Sequence, residues 1–324
     1  MNFSLQKTKV EGFVRRTAIL WVLLLLCLAM SIFSPTFITP QNLMLIIKQS
    51  TITGILAIGM TMVILTGEID LSIGSIIAFS SVCSAMFGGL ADQGMPLIIP
   101  ILVGLAAGLA FGLINGLAVA YLKFPSFIMT LATMMVARGV AKVLCNGKPV
   151  FGISDSFMNL ANGFVLGIPN LVLFFAVVLI FGYVVLKKTV LGSRIYSVGG
   201  NEKATRLSGV NTKHIKLFVF AICGLLAGLC GVLMTSRISS GSSTAADGYE
   251  LSAIAAVVIG GTSMTGGIGS IWGTVVGTLI LGVIQNGLDI MGVSAFYQSI
   301  IQGLIVVVAV LLDLRSKAKK GAEA

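Results

Sequence analysis

The stretch Thr66-Gly-Glu-Ile-Asp-Leu-Ser-Ile-Gly74 places two carboxylates, Glu68 and Asp70, and a hydroxyl, Ser72, between two apolar runs. On insertion scales an Asp at the centre of a bilayer costs about 2.5–3.5 kcal/mol, so in a membrane Asp70 must turn away from lipid. Two duties fit it. Asp70 or Ser72 can accept the free N–H groups at a helix start, or the group can line a water-filled path. Capping is the simpler duty and the one expected of Asp70. Tyr249-Glu-Leu-Ser252 offers the same choice through Glu250. Gly260-Gly-Thr-Ser-Met-Thr-Gly-Gly-Ile-Gly269 interrupts an apolar stretch with the hydroxyls of Thr262 and Ser263. Such a break predicts unwound backbone lining a cavity, where its carbonyls and hydroxyls find partners. Asn115 and Asn286 are amides late in two further apolar stretches. Glu68, Asp70, Ser72, Asn115, Tyr249, Glu250, Thr262, Ser263 and Asn286 therefore form the candidate lining of a solute path.

Several chemistries are excluded. The phosphate-binding pattern G-x-x-x-x-G-K-[ST] occurs nowhere, and the nearest fragment, Gly147-Lys148, runs into Pro149. His214 is the single histidine, and none of the five cysteines forms a C-x-x-C pair. No nucleophile–base constellation appears. The chain is expected to hold no metal, no cofactor and no ATP of its own. Its +10 charge follows the edges of apolar stretches rather than a basic face interleaved with aromatics, so no nucleic-acid partner is expected.

The elements that position these residues are membrane helices. Hydrophobic residues make up 56 % of the chain and charged ones 10 %, against about 25 % in soluble domains, and mean hydropathy is +1.05. Apolar spans are read near 17–33, 43–66, 71–90, 96–121, 126–145, 168–187, 214–236, 251–264, 269–290 and 296–312. The first is read as a retained helix rather than a signal peptide. Lys and Arg cluster in four places: Lys7, Lys9, Arg15 and Arg16; Lys123; seven residues from Lys187 to Lys216; and Arg315, Lys317, Lys319 and Lys320. The connections on the other side hold only Lys148 and Arg237. Cytoplasmic loops carry the basic excess, so both termini and the 187–216 loop are expected inside.

The chain also echoes itself. Gly67-Glu-Ile-Asp-Leu-Ser72 parallels Gly248-Tyr-Glu-Leu-Ser252, Asn115-Gly-Leu117 parallels Asn286-Gly-Leu288, and Pro125-Ser-Phe-Ile128 parallels Ser294-Ala-Phe-Tyr297. Helices two to five would repeat as seven to ten, inverted by the helix between, which is a transporter architecture. Gly104, Gly108, Gly112 and Gly116 line one face of the fourth span; Gly269, Gly273 and Gly277 line the ninth, and Gly224 and Gly228 the seventh. Small faces of this kind let helix backbones approach closely. Arg138 and Lys142 sit one turn apart in the fifth span and are expected to snorkel outward or pair within the bundle. Within the basic loop, Asn201-Glu-Lys-Ala-Thr-Arg-Leu-Ser-Gly209 reads as a short helix with Asn201 as cap and Gly209 as terminator. Ala204, Leu207 and Ser208 give it a small apolar face suited to a cytoplasmic partner.

Over roughly residues 20 to 313 the chain resembles the permease subunits of bacterial ABC importers for monosaccharides, and among them ribose permeases most. The resemblance is carried by Gly59-Met-Thr-Met-Val-Ile-Leu-Thr-Gly67, Ile69-Asp-Leu-Ser72, Gly199-Gly-Asn201 through Ser208-Gly-Val210, Gly248-Tyr-Glu-Leu251, Ala253-Ile-Ala-Ala-Val-Val-Ile-Gly-Gly-Thr-Ser263 and Gly292-Val-Ser294. It implies an all-α polytopic membrane protein of about ten helices, a type II-like permease acting as a homodimer or as a heterodimer with a related permease. It implies a bacterial inner membrane location, a sugar-binding protein outside, and a cytoplasmic ATPase with two fused nucleotide-binding halves that holds ATP and Mg. Gly200, Asn201, Glu202, Ala204, Thr205, Leu207, Ser208 and Gly209 correspond to the helix that couples such a permease to its ATPase. Two positions depart from the ribose-type pattern: Glu68 replaces a small residue, and Ser252 replaces an acid. The competing class is an ion-coupled secondary transporter, for which Glu68, Asp70 and Glu250 are the available ion ligands.

Overall fold

The computed structural model describes residues 19–89 and 94–322, with side chains as far as residue 311. Lys7, Lys9, Arg15 and Arg16 lie outside the described residues, as do the side chains of Arg315, Lys317, Lys319 and Lys320. Thirteen helices are described. Ten are apolar and fall where the spans are predicted: α1 (Ile19–Phe33), α2 (Pro40–Leu65), α3 (Ile73–Gly88), α4 (Ile98–Ala120), α5 (Ser126–Leu144), α7 (Asn170–Lys188), α10 (Thr212–Ile238), α11 (Tyr249–Ile259), α12 (Ile271–Ile290) and α13 (Ala295–Ala322). Six of them, α2, α4, α5, α7, α10 and α12, are long and apolar enough to cross a membrane on length and composition alone. The remaining helices are α6 (Asp155–Asn162), α8 (Val190–Gly200) and α9 (Glu202–Leu207). Of these, only α9 is predicted. A two-residue hairpin, β1 (Phe164–Val165) with β2 (Ile168–Pro169), is the one sheet among the described residues.

Local chemistry fixes the helix starts. Thr39 accepts the Asn42 N–H ahead of α2, with Pro40 at the first helical position. Asn211 caps α10 through the His214 N–H, and Ser270 caps α12 through the Gly273 N–H. Gly67 at φ +81° ends α2, a conformation that a Cβ would strain.

The internal echo is visible in the packing. Helix lengths of 26, 16, 23 and 19 residues for α2 to α5 recur as 27, 11, 20 and 28 for α10 to α13. Each long first helix packs into the opposite copy: α10 lies on α3 and α4, while α2 lies on α11 and α12. Against α4 the contacts run Gly104 to Val232, Gly108 to Gly228, Gly112 to Gly224 and Gly116 to Leu217, so α10 is antiparallel to it. Against α12 they run Asn42 to Asn286, Ser50 to Gly282 and Thr61 to Thr274, so α2 and α12 are antiparallel in the same way. Helices α2 and α10 also pass antiparallel, with Gly59 on Cys223 and the Cys230 thiol on the Ile52 carbonyl at 3.6 Å. The second copy is thus inverted relative to the first.

The glycine face of α4 brings its backbone against that of α10. A Cβ at Gly108 would stand 2.5 Å from the Gly228 Cα. Hydroxyls bind across the same layers: Ser80 donates to the Gly104 carbonyl at 2.7 Å, and Ser81 pairs with Thr235 at 2.7 Å. Such bonds stabilise membrane bundles by roughly 0.6 kcal/mol each on average.

Candidate functional site

Asp70 is fully buried, three residues ahead of α3. Its Oδ1 accepts the Ser72 N–H at 2.9 Å and the Ser72 hydroxyl at 2.5 Å. The expected cap is therefore a turn closed just before the helix, while Ser72, at the cap position itself, makes no side-chain cap bond. Asn115 on α4 donates to Ser72 Oγ at 2.9 Å and accepts from Thr133 of α5 at 2.6 Å. Asp70, Ser72, Asn115 and Thr133 thus form one buried polar chain joining α3, α4 and α5. Asp70 Oδ2 has no partner.

The second copy is wired differently. Ser252 lies inside α11 rather than before it, and its hydroxyl donates to the Gly248 carbonyl at 3.1 Å and accepts from Gln302 of α13. Gln302 and Thr133 stand at equal distances after the matched Phe296 and Phe127, so α13 and α5 supply equivalent partners. Asn286, the counterpart of Asn115, turns to α2 and exchanges two 2.9 Å bonds with Asn42. It clamps α12 to α2 there. Glu250 sits in the first turn of α11 against Gly74, where a Cβ would strike its carboxylate, and its Oε2 is buried without a partner. Both acids of the echo therefore converge on the start of α3.

The 260–270 segment is non-helical as expected, and several of its residues pack against α2 and α8. The Gly267 N–H donates to the Leu65 carbonyl at 2.9 Å, Tyr196 donates to the Gly269 carbonyl at 3.0 Å, and Gly266 and Gly267 abut Gly199 and Gly200. Ser263 pairs with Thr265 at 3.0 Å, and Thr262 Oγ1 is buried without a partner.

At the same end, α9 is the helix that Asn201 and Gly209 predict. Asn201 Oδ1 accepts the Ala204 N–H at 2.9 Å, and Gly209 at φ +83° follows the last turn. Ala204, Leu207 and Ser208 are exposed, Leu207 by 88 %. Gly200 is exposed at the end of α8. Thr205 is turned inward and donates to the Ser197 carbonyl at 2.8 Å, fastening α9 to α8. Glu202 accepts Thr212 at 3.0 Å and Lys216 at 2.8 Å, and Lys216 also reaches Glu68 at 2.7 Å. Burial raises the Glu202 carboxyl, but the Lys216 bond and charge, with the Thr212 bond, outweigh that and hold it below its ordinary range. One lysine thus ties α9 to the α2–α3 turn that carries Asp70. Glu68 lies in this ion pair and lines a cavity of about 560 Å³ together with Lys123, Arg206 and Lys213.

Arg138 binds across the connection between α10 and α11, donating to the Ser243 and Ala245 carbonyls at 3.0 and 2.8 Å beside Asp247 at 3.7 Å. Behind that connection a cavity of about 210 Å³ opens between α2, α11, α12 and α13, where Tyr249 and Ser252 meet Gln49, Ser50, Gln285 and Gln302. The amides at 49, 285 and 302 escaped the sequence reading, although polar side chains inside apolar spans are the signal that marks them.

Residues 42–310 match the family described as branched-chain amino acid transport system / permease component. The chain belongs to this family of membrane permeases. The ribose import permease protein RbsC of Bacillus subtilis is 43 % identical over 310 residues, 95 % of each chain. Its namesake from Escherichia coli is 44 % identical over 295 residues, covering 90 % of this chain and 91 % of its own. The L-arabinose ABC transporter permease protein AraH of Azospirillum brasilense is 39 % identical over 305 residues, 93 % and 88 % of the two chains. No solved structure matches the chain.

Proposed function

We propose that this chain is the membrane-spanning subunit of an ATP-driven importer that carries a monosaccharide, ribose or a close analogue, into a bacterial cell. The carrying observation is likeness to ribose and arabinose permeases along nearly the whole length, joined to a capped, exposed α9 on a basic loop. In this reading the chain crosses the inner membrane ten times with both termini cytoplasmic, and it pairs with a second permease copy. It takes sugar from a binding protein outside and holds no ATPase site of its own. α9 docks onto a separate ATPase with two fused nucleotide-binding halves, which binds ATP and Mg. Glu68, Asp70, Ser72 and Glu250 act at the α2–α3 turn through which that docking is felt, because Lys216 links Glu202 to Glu68.

The family description names amino acids, so the solute class needs a direct test. A zwitterion brings two charges that need paired or strongly hydrogen-bonded partners, whereas the outer cavity offers mostly amides and hydroxyls with one exposed carboxylate, Asp247. Cells expressing the permease with its neighbouring ATPase and binding protein should accumulate labelled ribose, xylose or arabinose, and lose that uptake when the ATPase is omitted. Accumulation of leucine or valine in place of any sugar would overturn the reading. Uptake without the ATPase would favour ion coupling.

A further inference from the structure

The cavity of about 210 Å³ has a chemistry that helix packing does not require. Three helices send amides to it, Gln49 from α2, Gln285 from α12 and Gln302 from α13, joined by Ser50 and Tyr249. Ser50 is 4 % exposed and its hydroxyl has no hydrogen-bond partner; Gln49 Oε1 is likewise buried and unpartnered. Buried polar atoms are rarely left unsatisfied, so these two orphans point to something that completes them. Gly282 keeps Ser50 in the wall, since a Cβ there would strike its hydroxyl.

The lining also specifies what fits. No lysine, arginine or glutamate borders the cavity. Its one carboxylate, Asp247, has a side chain 90 % exposed, near Arg138. Each amide offers two donors and an acceptor, and each hydroxyl offers both. That mixture suits the O–H groups of a neutral polyol and leaves charged ligands unpaired. The volume lies below the roughly 300–1,000 Å³ of drug-sized sites, consistent with one small ring.

We propose that this cavity is a monosaccharide-binding site inside a single copy of the chain, at the end nearest the outer connections and ahead of the buried α3 turn. The proposal rests on the sugar-import reading and adds a location to it. In the intact importer, Ser50→Ala and Gln302→Leu should each raise the KM for sugar uptake by about tenfold, the worth of one hydrogen bond of about 1.4 kcal/mol. The amount of complex in the membrane, and the affinity of the binding protein for sugar, should not change. Independently, Thr53→Cys in a chain without other cysteines should react with a small alkylating probe, and millimolar ribose, xylose or arabinose should slow that reaction about threefold. Should either uptake variant fail to assemble, the alkylation assay decides alone. Wild-type KM in both variants, with alkylation indifferent to sugar, would overturn the site while leaving sugar import intact. Wild-type importer that takes up no monosaccharide would overturn the import reading, and the ligand with it.

Discussion

Asp70 is a buried acid with one satisfied oxygen and one orphan, and the asymmetry predicts how it tolerates change. Asp70→Asn keeps an acceptor for Ser72 and replaces the orphan by an amide, so the polar chain to Asn115 and Thr133 survives. The variant should express, and its melting temperature in detergent should equal or exceed that of the wild type. Asp70→Ala instead leaves the Ser72 N–H unpaired at a buried site, a loss of about 1–3 kcal/mol, and should melt several degrees lower. If Asn also abolishes uptake while the protein remains stable, the negative charge itself serves the solute path. Lys216 is the opposite case, one cation between two carboxylates. Lys216→Met removes the cation that bridges Glu68 and Glu202, leaving only Lys123, Arg206 and Lys213 around the same cavity, and should impair uptake more than Glu202→Gln does. Adding Glu68→Gln to Lys216→Met should restore part of it, because the repulsion is removed. Equal uptake in the single and double variants would mean that the lysine acts alone.

At the level of elements, ten apolar helices were legible because a hydrophobic span needs only length and composition, and each break is marked by charge, glycine or proline. Helix α9 was legible because Asn201 and Gly209 are strong punctuation. Helices α6 and α8 were not, since both sit in connections read for charge or polarity rather than period. The glycine faces marked α4 and α10 for close approach, but nothing in the sequence said that they would meet each other or that α2 and α10 would trade places between the copies. Gly108→Leu should break that contact, because its side chain would need space held by Gly224 and Gly228. Overpacking costs about 1–3 kcal/mol or more, and loss of folded protein on size-exclusion chromatography measures it. Gly139, with nothing near its Cβ position, should accept alanine without such loss. In α9, Ala204→Asp should leave the bundle folded yet strip the ATPase from the purified complex, since an unpaired charge in a small docking contact costs several kcal/mol. Co-purification at wild-type yield would show α9 to be a solvated loop.

For the whole molecule, polar groups inside apolar spans were legible as such, and their partners were much less so. Asp70, Ser72 and Asn115 do meet, because two polar groups in apolar spans have few other places to go. Asn286 goes instead to Asn42, and Ser252 to Gln302, since the inverted copies share a backbone plan but not their side-chain wiring. The orientation of the bundle is expected from charge rather than from packing, and labelling tests it. Leu166, 98 % exposed between β1 and β2, and Leu207 on α9 lie in connections assigned to opposite faces. In a chain lacking native cysteines, Leu166→Cys should react with a membrane-impermeant maleimide added to intact cells, and Leu207→Cys only after the membrane is opened. Both positions tolerate substitution because neither side chain contributes to the core. Six of the apolar helices are long enough to cross alone, while α3 and α11, with 16 and 11 residues, fall short of the roughly 20 that a bilayer asks. They would reach across only together with the polar turns before or after them. If those turns returned the chain to the side it came from, the two copies would each lose a crossing. With α3 not crossing, Leu166 would move inside and Leu207 outside, so labelling of Leu207→Cys and not of Leu166→Cys in intact cells would overturn the ten-crossing arrangement.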